Sequence, residues 1–227
     1  MKYKIFCILK KYAGAIALGL GLLVAVAVTQ FGAFAQQCDS IRAQTLRLHV
    51  VAQSDSIHDQ EVKLQVRDAI VTQLGNSFAV AEKQQALQQA QTDLSQIEQT
   101  AQSTLQQLGE TAEVNVYLTN MYFATTQTQN VVLPAGRYDA VRVEIGAAKG
   151  GNWWGVLFPQ LGVSAAVEEK EEKANPLQNA VTYSKQQQTL MQSGYDVRFA
   201  SVELWEQLKE STKGKTLKSD STGHSYR

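Results

Sequence analysis

The chain has 227 residues, 44% hydrophobic and 19% charged, with 21 basic and 21 acidic side chains and two cysteines. That composition describes a folded chain of one-domain size and excludes a disordered polymer or a disulfide-stapled miniprotein. Four of the basic residues and no acidic ones lie in the first 35 positions, so residues 36–227 hold 17 basic against 21 acidic residues, a net −4 that argues against neutralising the phosphates of a nucleic acid.

Lys2, Lys4, Lys10 and Lys11 precede an uncharged apolar run from Ala13 to Val28, and Ala33-Phe34-Ala35 has the small-x-small pattern cut by signal peptidase. The run of 16 residues is shorter than the ~20 of a relaxed membrane span, which predicts export with cleavage after Ala35 and leaves retention as an anchor as the alternative. Gln36 and Gln37 before Cys38 do not fit a lipoprotein signal. With Cys7 in the leader, Cys38 has no second cysteine in the processed chain, so the fold must rest on its core.

Leu46, Leu48 and Val50 alternate with Arg47, His49 and Val51, the period of a strand with one buried face. Ser54, Asp55 and Ser56 break it. Ser56 lies three residues before Asp59 in a near capping-box arrangement, and Val62, Val66, Ala69, Ile70 and Leu74 then recur at helical spacing. A second helix is predicted over Ala81 to Gly109 from Leu87, Ala90, Leu94, Ile97, Ala101, Leu105 and Leu108, with Gly109 as its stop. Its ten glutamines give an uncharged polar exterior suited to solvation or to a partner helix.

Glu113 to Tyr122 and Arg137 to Ile145 alternate as two further strands, the second entered through Pro134-Ala135-Gly136. Gly146 to Gly162 reads as a glycine-punctuated loop dense in large apolar side chains, Trp153 and Trp154 among them. Ala165 to Asp196 reads as a charged, glutamine-rich insert, either a mobile excursion or a solvated helix. Val197 and Phe199 form an extended start to a segment in which Val202, Trp205 and Leu208 mark one helical face. Residues 211–227 have the composition of a disordered tail.

Two places could hold chemistry. His49, Asp55, His58, Asp59 and Glu61 are metal-binding and proton-transferring types around a strand-to-helix turn, but no His-Glu-x-x-His pair and no glycine-flanked serine accompany them. The plainer account has Asp55 or Ser56 capping the helix, Asp59, Lys63 and Arg67 forming an i,i+4 ladder on its surface, and His49 pointing outward from the strand. Trp153 and Trp154 either close the core together or, as neighbours on an extended backbone, place one indole inward and one outward as an anchor. Gly150-Gly151 lacks the Gly-Lys-Ser/Thr of a phosphate loop.

Three blocks, LRLHVVAQSDSIHDQEVKLQVRDAI, NVVLPAGRYDAVRVEIGAAKGGNWWGVLFPQLG and VRFASVELWEQL, resemble the stage II sporulation protein R family of spore-forming Firmicutes. The resemblance implies a secreted signalling protein made in the forespore and exported into the space between forespore and mother cell. There it triggers a membrane-embedded aspartic protease that processes the precursor of sporulation sigma factor E, with no catalysis of its own. Members of the family commonly carry a cysteine after the double tryptophan and another a few residues on, where this chain has Gly155 and Gly162. If those cysteines are bridged in relatives, the loop here is held by packing alone.

The expected architecture is α/β or α+β: a single domain over residues 36–210 in which a small sheet from the segments near 46, 114 and 138 packs with two N-terminal helices and a C-terminal helix. The expected partner is the membrane-embedded protease, met through Arg47, His49, Asp55, Trp153 and Trp154, with no nucleic acid, small-molecule substrate, metal or cofactor. The alternatives are an extracytoplasmic hydrolase built on His49, Asp55 and His58, and a cell-envelope binding protein unrelated to sporulation.

Overall fold

A computed structural model describes residues 2–75, 77–128, 131–159, 183–192 and 197–220. The chain divides into two compact units, residues 1–39 and 40–227. Helix α1 (Lys2–Gln44) runs through the first, and its stretch from Tyr12 is long and apolar enough to cross a membrane. The motif Ala33-Phe34-Ala35 lies inside this helix.

The second unit holds strand β1 (Leu46–Val51), helices α2 (Ile57–Leu74) and α3 (Lys83–Gln107), strands β2 (Val114–Phe123), β3 (Thr126–Thr128), β4 (Val131–Leu133), β5 (Gly136–Ile145) and β6 (Asn152–Phe158), and helices α4 (Lys185–Gln192) and α5 (Val197–Asp220). Four strands form a mixed sheet in the order β2-β5-β1-β6, with β1 parallel to β5 and antiparallel to β6; β3 and β4 make a separate antiparallel pair. The architecture is mixed α/β, as the alternating periods predict.

Strand β1 is central and all six of its residues are buried. Its register sets the rows that cross the sheet. Val116, Val143, Val50 and Trp153 form one row and Leu118, Val141, Leu48 and Gly155 the next, both on the face covered by α2 and α3. Val66 and Ile70 of α2 and Ala90, Ile97, Ala101 and Leu105 of α3 fill that layer. The helix faces match the predicted spacing because a three-four apolar stripe has only this sheet surface on which to bury itself.

Local chemistry sets the helix ends. Ser56 accepts a hydrogen bond from the Asp59 amide at 3.0 Å and caps α2. Gly109, at φ +78°, follows α3, and the Glu110 amide returns to the Leu105 carbonyl at 2.9 Å. Gln102 ties α3 to β2 by donating to the Ala112 carbonyl and accepting from the Val114 amide, both at 3.1 Å.

Several expectations are corrected. The predicted loop over 146–162 contains β6, an edge strand, because Trp153, Gly155 and Leu157 find the apolar face of β1 beside them. The β3–β4 pair was not predicted; each of its strands has only three residues, too few to show a period. Helix α5 is helical from Val197, not extended, and its buried side is Phe199, Val202 and Glu206, with Trp205 and Leu208 exposed. It continues to Asp220, so residues 211–220 of the expected tail are helical; 221–227 lie outside the described residues. Part of the expected insert is α4, while 165–182 and 193–196 lie outside the described residues.

Candidate functional site

The second face of the sheet is built from the same strands at the opposite parity. Tyr117, Arg142, His49 and Trp154 form a row across all four strands, flanked by Thr119, Ala140, Arg47 and Val156 on one side and Asn115, Glu144, Val51 and Asn152 on the other. Where the first face is apolar, this one alternates charge and aromatic rings.

Phe123, at the end of β2, is the hub. The Arg47 guanidinium carbon stands 4.1 Å above its ring and 5.2 Å from the Tyr138 centroid. The Trp154 ring meets Phe123 edge-on at 4.8 Å, and His49 stacks on Trp154 with centroids 4.0 Å apart and planes at 19°. Arg47 is fully buried; its Nη2 donates to Thr126 Oγ1 at 3.2 Å, and its Nε and Nη1 have no hydrogen-bond partner among the described residues. Burial lowers the guanidinium to about 10, which leaves it charged at neutral pH.

His49 Nε2 meets Asn152 Oδ1 at 2.8 Å, and Nδ1 has no partner among the described residues. An amide oxygen only accepts, so the ring proton sits on Nε2. Burial first, and then the nearby Arg142 and Arg47 charges, push His49 down to about 4 against the bond to Asn152, so the ring is neutral at pH 7. Arg142 Nε donates to Glu144 Oε1 at 2.7 Å and Tyr117 Oη donates to the same oxygen at 2.9 Å, closing the more open end of the face.

The β1–α2 turn adjoins this face through backbone bonds. The Gly150 amide donates to the Ala52 carbonyl at 3.0 Å and the Lys149 amide to the Gln53 carbonyl at 3.2 Å. A side chain on position 150 would run into the Ser54 carbonyl, so the approach of the two segments needs glycine there. Lys63 Nζ donates to the Gly151 carbonyl at 3.2 Å and to Gln60 Oε1 at 2.6 Å. The histidine-aspartate segment and the double-tryptophan segment, about a hundred residues apart in sequence, are thus neighbours in space.

Of the expected contact residues, Asp55 is exposed in the turn and Trp153 and Trp154 are half-buried on opposite faces. Trp153 packs against the helical core with the Arg67 guanidinium 5.1 Å from its centroid. Both indoles are therefore packed, one in each layer. Arg47 and His49 are buried, which corrects the outward orientation expected for His49: the second face is covered rather than solvated at these rows. The Asp59-Lys63-Arg67 ladder is also absent. Asp59 accepts from the Ser54 hydroxyl, Lys63 is drawn to Gly151, and Arg67 pairs with Asp68.

His49, Asp55 and His58 are not brought together. His58 bonds Glu110 Oε1 at 2.6 Å on the exposed side of α2, and that bond raises its pKa, while His49 lies in the sheet against Asn152. Among the described residues no group of three or more histidine, cysteine, aspartate or glutamate side chains is placed to hold a metal ion. Sequence reasoning missed Phe123, Tyr138, Asn152 and Arg142; the alternation of β2 and β5 puts them on the second face, but only the strand order shows that they meet.

A mixed α/β scaffold with one apolar and one polar-aromatic sheet face is the class that the fold defines. The chain belongs to the stage II sporulation protein R family, whose model matches residues 42–169 and so covers α2, α3 and the six strands of the described residues. The block at 197–208 lies beyond the matched stretch. The stage II sporulation protein R of Bacillus subtilis (strain 168) is 30% identical over 136 residues, 57% of this chain and 61% of that protein. No solved structure matches the chain.

The placement of Trp153 explains the glycine at position 155. A Cβ built on Gly155 would lie 2.5 Å from Trp153 Cη2, because the indole folds back over its i+2 neighbour. A cysteine there and this placement of Trp153 exclude each other. Gly162 lies outside the described residues.

Proposed function

We propose that the chain is an exported signalling protein that activates a membrane-embedded aspartic protease, which in turn processes the precursor of sporulation sigma factor E. The observation that supports this reading is the family match over residues 42–169, the stretch that builds the whole sheet and both of its faces. The apolar N-terminal helix is compatible with delivery to the space between forespore and mother cell, as a removed signal or a retained anchor.

The contact surface in this reading is the end of the sheet where the Asp55 turn, Asn152 and Trp154 come together. Asp55 and Asn152 are exposed there and Trp154 presents part of its ring, a small polar rim beside an aromatic anchor. Arg47 and His49 act from beneath by fixing Phe123, Trp154 and Asn152 rather than by touching the partner. His58 and Glu110, turned outward on α2 and beyond α3, take no part.

The test is co-expression of the full chain with the protease and the sigma precursor in a heterologous host. Processing that depends on the chain is expected. Unprocessed precursor, with the protease folded and inserted, rejects the reading.

A further inference from the structure

Helix α5 is amphipathic in an inverted sense. Its side toward the domain holds Phe199, Val202 and Glu206, whereas Leu204, Trp205 and Leu208 on the opposite side are 60%, 49% and 55% exposed. The acidic residues lie on the domain side, with Glu203 half-buried near Tyr122 of β2 and Glu206 and Glu210 ion-paired. Glu206 lies 3.5 Å from Arg42 and 2.8 Å from Lys209, and Glu210 bonds Arg137 of β5 at 2.8 Å. These ion pairs fix the rotation of the helix and keep the Leu-Trp-Leu stripe turned out. The cation beside the stripe is Lys209, with Nζ 5.5 Å from the Trp205 centroid. Beyond Glu210 the sequence of the helix adds Lys213, Lys215 and Lys218 and no acid before Asp220.

We propose that this stripe is a docking surface for an anionic lipid bilayer. Two leucines and an indole flanked by lysine, with the carboxylates turned away, match the boundary between acyl chains and negatively charged headgroups. Stripe against stripe, a second copy of the chain would bring the same positive flank and repel it. The chain also contains a helix long and apolar enough to cross a membrane, which as a removed signal or a retained anchor brings the folded domain past a bilayer.

The inference is independent of protease activation and its test contains no protease. The full chain is reconstituted into vesicles of phosphatidylcholine alone or with one part in three of phosphatidylglycerol, made with ordinary or brominated lipid. Bromine quenches a tryptophan that sits at the boundary, and Trp205 is one of three in the chain.

Quenching is expected in the anionic vesicles, and it should be lost in Trp205→Phe. Leu204→Glu combined with Leu208→Glu should lower the docked fraction by roughly tenfold or more. Lys209→Glu should remove the preference for anionic lipid while circular dichroism shows the fold retained. Quenching that survives Trp205→Phe, or is equal in the two lipid compositions, overturns the proposal. So does a doubled mass in detergent that the leucine substitutions abolish, since the stripe would then join two copies.

Discussion

The two faces of the β2-β5-β1-β6 sheet use the same strands to opposite ends. On the helix-covered face, Leu48, Val50, Val141 and Val143 meet apolar side chains of α2 and α3, and every contact can be replaced by another of similar shape. On the other face, Arg47 and His49 are just as buried yet leave Arg47 Nε and Nη1 and His49 Nδ1 without hydrogen bonds among the described residues. Burying an unpartnered donor or acceptor costs about 1–3 kcal/mol, which offsets part of what the ring contacts of the second face contribute. The first face makes the fold and the second makes a surface of defined shape, held by rings around Phe123.

Breaking the first face has the largest expected effect. Leu48→Ala removes a fully buried side chain from the middle of the central strand and should cost about 2–5 kcal/mol in denaturant unfolding. A loss below about 1 kcal/mol would mean that the helices do not pack on this face as described.

The second face answers to pH instead. His49 is held well below its ordinary value, at about 4, so the unfolded chain takes up a proton that the folded one refuses. Stability is complete above the unfolded value near 6.5 and is lost as pH falls from there toward about 4, by up to about 3 kcal/mol. His49→Gln should flatten that slope, whereas His58→Gln should leave it in place: the Glu110 bond raises His58, whose contribution is present at low pH and fades as pH rises. Urea midpoints between pH 7.5 and 4 check both signs.

Gly155→Cys tests the β6 edge of the first face. It forces the Trp153 indole off its present site and should cost about 1–3 kcal/mol, the range for overpacking. Near-ultraviolet circular dichroism of the displaced tryptophan reports the movement even where stability recovers.

How much of this was legible in the sequence depends on which face a residue serves. Period two in Leu46-Leu48-Val50 and the three-four spacing of Ile97, Ala101 and Leu105 specify burial against an apolar neighbour, and the structure follows them. The same period two placed Arg47 and His49 on the other side, and charge alone made that side look solvated. Nothing in β1 shows that Phe123, Tyr138 and Trp154 come to cover it, because those rings arrive from three other strands. Strand β6 was hidden for a related reason: Trp153 and Trp154 are large apolar residues at adjacent positions, each packed on its own face of the sheet, and between glycines they read as a loop when their neighbours are unknown. In α5 the apolar spacing was seen but its direction was not, since the ion pairs to Arg42 and Arg137 that turn it outward come from distant segments.

The smallest expected change in stability separates the roles of the two faces most sharply. Arg47→Met replaces a buried guanidinium, hydrogen-bonded through Nη2 to Thr126, with an apolar chain of similar length. It keeps contact with Phe123 and Tyr138 while removing two unsatisfied nitrogens, so the unfolding free energy should move by less than about 1 kcal/mol in either direction. Asp55→Ala, at an exposed turn position next to the Ser56 cap, should change it by about 0.5 kcal/mol or less. If the surface over Trp154 exists to be recognised, Asp55→Ala should lower sigma-precursor processing in the co-expression assay while Arg47→Met leaves it near normal, because only Asp55 faces outward. Loss of processing with Arg47→Met and none with Asp55→Ala would put the working surface beneath the β3–β4 pair, at the guanidinium itself.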